Sequence, residues 1–234
     1  MKLILWKFNK GIDKIVYAIA LILLLVCTYV IIDHFILQYM GSDDAYKHYI
    51  GENGDPDFDK LRAINPEIIA WIRIDNTNID YPICQSTDNS KYIYTDAFGK
   101  KSATGAIFLD CENKPDFSDY YNVLYGHQME GDRMFGGLVH FKDQGYLDGH
   151  YKGTLFYPGG KNPIEVFCGI PTDLSNHYLF TPKRPFDANL IPASKSQSAS
   201  WRELGDKASN RVLAMTTCNV EDTNGRTIAL SIIK

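Results

Sequence analysis

The chain has 234 residues, 45% of them hydrophobic and 22% charged, with a formal net charge of -4. That is enough for one sizeable core plus an appendage, and too apolar for a disordered chain. A nucleic-acid binder would need a basic stripe to neutralise phosphates; past the N-terminus the charges are mixed, so nucleic acid is not an expected partner.

The run IVYAIALILLLVCTYVII, Ile15 to Ile32, is unbroken and apolar on every face. A surface helix of a globular domain would keep a polar stripe, whereas a bilayer-spanning helix needs about this length without one. Lys2, Lys7, Lys10 and Lys14 precede the run and Asp33, Asp43 and Asp44 follow it. The positive-inside rule therefore predicts a cytoplasmic N-terminus, with everything after the span outside the cell membrane. No small-x-small cleavage site follows, so the segment reads as an uncleaved signal anchor. The expected organisation is a cytoplasmic stub and anchor over residues 1–37, a helical lead-in over 38–64, and the main folded domain over 65–234.

Between Phe35 and Asn65 the apolar spacing predicts one or two short helices, with Ser42 and Asp55 as N-cap candidates and Pro56 at a first helical position. Strand signals then dominate. AWIRI, IDYPICQ, GAIFLD, NVLYG, TLFYP, IEVFCGI, RVLAMTTC and RTIALSII are short runs rich in β-branched and aromatic residues, separated by Gly, Asn, Asp and Pro. Their recurrence predicts a mainly β protein, an eight-stranded closed antiparallel barrel with peripheral helices, and disfavours alternating β and α units. MFGGLVHF and SASWRELGDKAS read as helical interruptions, the second capped by Ser198. TPKRPFDANLIPASKSQSAS has no clear periodicity, and long loops of that kind tend to carry function.

Five cysteines, at 27, 84, 111, 168 and 218, form no CxxC pair. A zinc site has little support, and a single bridge among Cys84, Cys111 and Cys168 stays open. His140 and His150 lack metal-site spacing, and Asp110, Glu112 and Asp116 lack the calcium-loop pattern, so no metal or other cofactor is expected.

Three residues could act together. A cysteine nucleophile needs a base or cationic partner to populate its thiolate, and the oxyanion of acyl transfer needs a donor. Cys218 ends one apolar strand, His127 follows another in NVLYGHQM, and Arg226 starts the last. Taken singly, Cys218 is equally a packed small hydrophobe, His127 a solvated loop residue and Arg226 a strand flank.

AMTTC with Arg226 shortly after it, and YGH at 125 to 127, resemble the catalytic signature of the sortases, membrane-anchored cysteine transpeptidases of Gram-positive bacteria. WIRIDNTNIDYPICQSTDNSKYI, KKSATGAIFLDCEN and NVLYGHQMEGDRMFGGLVHF are similar to class B blocks in order, and the likeness runs from about Asn65 to Lys234. The segment around SWRELGDKAS is similar to a helix that class B inserts there. The usual Thr-Leu-x-Thr-Cys reads Ala214-Met215-Thr216-Thr217-Cys218 here, with Thr216 where class B often has Ser.

The resemblance implies that Cys218 attacks the threonine carbonyl of an NPQTN- or NPKTG-like sorting signal, that His127 exchanges the proton and that Arg226 holds substrate and oxyanion. It implies surface proteins bearing that signal and a peptidoglycan precursor amine, lipid II, as partners. Asn89, Ile93, Thr216 and Thr217 are candidate substrate-binding residues, though strand and turn packing explains them equally well. An LPxTG-type sortase of another class and a non-catalytic tethered binding module are the alternatives; an L,D-transpeptidase would show Ser-His-Gly-Cys at the nucleophile.

Overall fold

The computed structural model describes residues 2–40, 43–173, 175–205, 211–218 and 225–234. The chain divides into two compact units, Met1–Met40 and Gly41–Lys234. The first is a single helix, α1 (Lys2–Met40). Its segment Gly11–Ile36 is long and apolar enough to cross a membrane, and side chains such as Leu21, Leu24 and Tyr29 lie exposed on it.

The second unit opens with a 3₁₀ turn, Asp43–Tyr49, and a short helix, α2 (Phe58–Ile64). Asp57 caps α2 by accepting the Lys60 N–H at 3.1 Å. Asp55, the expected cap, instead faces Lys161 Nζ at 2.8 Å, and its neighbour Pro56 is held in a bridge to Ile50. Ser42 lies outside the described residues. Tyr46 and Leu61 from this lead-in are buried in the same core as the strands, with Tyr46 edge-on to Trp71 and Tyr81.

All eight expected strands form: β1 (Ile68–Ile74), β2 (Asp80–Cys84), β3 (Ile107–Leu109), β4 (Tyr121–Gly126), β5 (Lys152–Tyr157), β6 (Gly160–Asp173), and, after a two-residue β7 (Ser200–Trp201), β8 (Arg211–Cys218) and β9 (Gly225–Ile233). The sheet runs β5-β1-β2-β3-β4-β8-β9-β6-β7, and an added β5–β6 pairing closes eight of its strands into a barrel. The closure matches the expectation; the pairing is mixed, because β2–β3 and β4–β8 are parallel. Each parallel contact needs a long crossover, and here those crossovers carry the loops around the pocket described below.

One apolar cluster takes residues from all eight barrel strands, among them Trp71, Ile83, Leu124, Met215 and Ala229, and fills the barrel. A second collects the alternate side chains of four neighbouring strands, such as Val123, Val212, Leu230 and Ile170, under Leu179, Leu190 and Leu204 of the segment joining β6 to β8. Period-two alternation along β8 thus splits Leu213 and Met215 from Val212 and Ala214.

The first expected helical interruption forms, and the second falls elsewhere. MFGGLVHF is a 3₁₀ turn, Gly136–Lys142, followed by α3 (Gln144–His150). In the connection after β6 the helix is α4 (Leu190–Gln197), with Ser198 at its C-terminal end rather than capping a new helix. Pro192 sits in the first turn of α4, where a missing N–H costs little. Ser200–Trp201 pairs with Cys168 and Gly169 instead, and residues 206–210 lie outside the described residues.

Gly169 explains that small strand. Ser200 Oγ donates to the Phe141 carbonyl and accepts the Gly169 N–H at 3.1 Å, and a Cβ on Gly169 would stand 2.2 Å from the Phe141 carbonyl oxygen. Gly169→Ala must push the 136–142 turn off the sheet. It is expected to lower stability by about 1–3 kcal/mol, read as a reduced urea midpoint at unchanged slope; an unchanged midpoint would contradict the close packing.

Candidate active site

The parallel β4–β8 ladder ends at Gly126 opposite Thr217, and one residue further along each strand stand His127 and Cys218. The antiparallel β8–β9 ladder pairs Cys218 with Arg226 directly. Neighbouring strands lie about 4.8 Å apart, so three residues scattered over the chain meet at one end of the barrel.

A pocket of about 270 Å³ opens at this place, lined by Asn89, Ile93, Phe108, Tyr125, Gly126, His127, Phe180, Thr216, Thr217 and Arg226. Of the residues singled out in the sequence, Asn89, Ile93, His127, Thr216, Thr217 and Arg226 all line it. The Cys218 side chain lies outside what is described, while its backbone ends β8 beside the pocket. Phe108, Tyr125 and Phe180 were not foreseen. Tyr125 belonged to the quoted YGH run, and Phe180 directly precedes the aperiodic stretch, which was its only signal.

His127 Nε2 lies 2.9 Å from the carbonyl oxygen of Ile93. A carbonyl only accepts, so this nitrogen carries a hydrogen, and Nδ1 is left to gain or lose a proton. Ile93 closes a short 3₁₀ turn, Lys91–Ile93, held from behind: Tyr92 Oη donates to Glu67 Oε2 at 2.5 Å and accepts from Asn65 Nδ2 at 2.9 Å. Gly105 packs against the same turn at a φ of 58°. A Cβ there would lie 2.6 Å from the Tyr92 oxygen, 2.8 Å from the Ile93 oxygen and 3.0 Å from the His127 ring. Glycine is therefore required by both conformation and space.

On the neighbouring wall Thr216 Oγ1 is buried without a hydrogen-bond partner among the described residues. Arg226 is half-buried, its Nη1 donating to the Gly225 carbonyl at 3.2 Å. Behind the opposite wall the Asp110 carboxylate accepts from Asn89 Nδ2 and Tyr125 Oη, both at 2.9 Å. Burial, and then the Asp110 charge, push the Tyr125 hydroxyl well above its ordinary ionisation range.

Cys84, Cys111 and Cys168 are free thiols, which closes the question of a bridge among them. Burial pushes Cys84 and Cys168 well up, and Cys111 is raised by burial and by the Asp110 and Glu112 charges. Only the thiolate reacts. In the folded chain Cys84 and Cys168 are expected to stay unlabelled by iodoacetamide at neutral pH and to label on denaturation, as read by peptide mass spectrometry; labelling of either before unfolding would contradict their burial.

No family model matches the chain. It is 30% identical over 184 residues to Sortase B of Listeria monocytogenes, covering 77% of this chain and 74% of that one. Among solved structures, a class B sortase of Streptococcus pyogenes involved in pilus biogenesis superposes with a TM-score of 0.70 at 34% identity, covering 76% of this chain and 97% of that one. Sortase B of Clostridium perfringens gives a TM-score of 0.70 at 28% identity, over 76% and 99% of the two chains. At this identity and coverage the chain belongs to the class B sortases and is a cysteine transpeptidase.

Proposed function

We propose that the chain cleaves a C-terminal sorting signal of the NPQTN or NPKTG kind after its threonine and transfers the surface protein to an amine of a peptidoglycan precursor, lipid II. The observation that carries the reading is the register that sets His127, Cys218 and Arg226 on three adjacent strands around one pocket. The Cys218 thiolate adds to the threonine carbonyl carbon, and the oxyanion develops beside the Arg226 guanidinium. The C–N bond breaks, the leaving amine takes a proton from the His127 imidazolium, and a thioester to Cys218 remains. The acceptor amine attacks the thioester, gives its proton to neutral His127, and the thiolate departs. With Nε2 committed to the Ile93 carbonyl, Nδ1 is the nitrogen that exchanges this proton. Asn89, Ile93, Thr216 and Thr217 bind the signal, and the Thr216 hydroxyl, which has no partner among the described residues, supports that role.

In this reading residues 1–37 form a cytoplasmic stub and signal anchor, 38–64 the lead-in and 65–234 the catalytic barrel outside the membrane. The apolar helix and its flanking lysines support that orientation.

The full chain in detergent, given fluorogenic NPQTN, NPKTG and LPxTG peptides, tests the reading. An Asn-Pro peptide should be cut. Cys218→Ala and His127→Ala should abolish cleavage, and Arg226→Ala should cost about 10²-fold or more in kcat. Full activity of Cys218→Ala would sink the mechanism, and preference for LPxTG would overturn the signal. Gly105→Ala, by displacing the Ile93 carbonyl and the His127 ring, is expected to lower kcat by about 10²-fold; a wild-type kcat would remove the claim that this turn sets the histidine.

A further inference from the structure

Asp110 is 3% exposed, and among the described residues no Lys, Arg or His pairs with it. A buried carboxylate without a counter-ion is costly unless its oxygens are satisfied. Here Oδ1 accepts the Glu112 N–H at 2.9 Å, and Oδ2 accepts both Asn89 Nδ2 and Tyr125 Oη at 2.9 Å. The residue's own carbonyl receives Gln85 Nε2 at 2.9 Å, and Asn89 Oδ1 accepts the Cys111 N–H at 2.8 Å. Asp110 does not itself line the pocket, whereas Asn89 and Tyr125 do. The charge therefore touches the cavity only through two neutral polar side chains that it orients.

We infer that Asp110 is the positioning residue of the signal-binding wall: its carboxylate accepts hydrogen bonds from the Tyr125 hydroxyl and from one N–H of the Asn89 amide, which fixes what those side chains can offer a peptide. This rests on the pocket holding the sorting signal. Tyr125 has one hydroxyl hydrogen, and with that given to Asp110 its oxygen meets a ligand only as an acceptor, so it suits an N–H of the signal peptide. Asn89 keeps its second amide hydrogen and so suits a peptide carbonyl. The two side chains together match the donor and acceptor of an extended peptide backbone. A neutral residue at 110 loses this polarity: the amide of an Asn can accept at only one of its two terminal positions, so at least one of the Glu112, Asn89 and Tyr125 contacts must rearrange.

The test compares wild type, Asp110→Asn, Tyr125→Phe and the double variant as full chains in detergent. It measures KM and kcat on the Asn-Pro peptide that wild type cuts, and the rate of Cys218 alkylation without peptide. Hydrogen bonds to a charged group justify an expected KM increase of about 10-fold for Asp110→Asn. Its kcat should stay within about threefold, Cys218 alkylation should be unchanged, and the double variant should be no worse than the poorer single. An unchanged KM in Asp110→Asn, or a fall in kcat and alkylation together with KM, overturns the inference, the latter because it marks a merely structural role. If Asp110→Asn fails to fold, Tyr125→Phe alone decides, since it deletes one contact and leaves the carboxylate in place. A wild type that cuts none of the peptides overturns the functional reading itself, and the inference with it, whereas a cutting wild type with an indifferent Asp110 removes the inference alone.

Discussion

The parallel contact between β4 and β8 is the constraint on which the rest of the molecule depends. A parallel pair sends both strands out at the same end of the sheet, and here that end receives His127 from one strand and Cys218 from the other. Had these strands run antiparallel, the same two sequences would have delivered the residues to opposite ends of the barrel. Strand β9 then lies antiparallel to β8 and sets Arg226 opposite Cys218. The sheet's connectivity, more than any side-chain contact, assembles the three groups.

Around this frame the pocket is built by main-chain groups that side chains hold in place. The Ile93 carbonyl faces His127 because Asn65, Glu67 and Tyr92 pin the turn from behind and Gly105 lets it approach. On the facing wall the Asp110 carboxylate binds Asn89 and Tyr125. Both walls come from the segments around β2, β3 and β4, while Thr216, Thr217 and Arg226 come from β8 and β9. A substrate in the pocket would therefore touch both sides of the parallel β4–β8 seam.

Much of this was legible beforehand. The eight strands were readable because each is a short β-branched or aromatic run between turn formers; Cys218, His127 and Arg226 stood out at strand ends, but it was the resemblance to the sortase signature that joined them into one candidate site. Strand direction was not, since the alternation that marks Val212 and Leu213 as a strand is the same whichever way its neighbour runs. The helix placed over SASWRELGDKAS missed because tertiary contacts outweigh local propensity there: Ser200 is drawn into a strand by Gly169 and Phe141, and Ser198 ends α4 instead of starting a helix. Asp55 was passed over for Asp57 because Lys161, distant in sequence, engages it. Asp110 was weighed only as a calcium ligand beside Glu112 and Asp116 and set aside, and its pairing with Asn89 and Tyr125 is visible only in three dimensions.

The place of β9 between β8 and β6 has a consequence for how the protein acquires reactivity. Strand β9 pairs with β8 on one side and β6 on the other, so the ring is not complete without the strand that carries Arg226. Its partners in β6 lie 52 to 69 residues away in the chain, from Asp173 opposite Gly225 to Ile164 opposite Ile233, so this pairing is non-local, the kind of contact that forms comparatively slowly. A chain caught before that step would carry its cysteine without the cation opposite it. In the proposed mechanism, chemical competence would then report on completed topology, and a half-folded molecule would not yet be equipped to acylate itself on whatever peptide lay nearby.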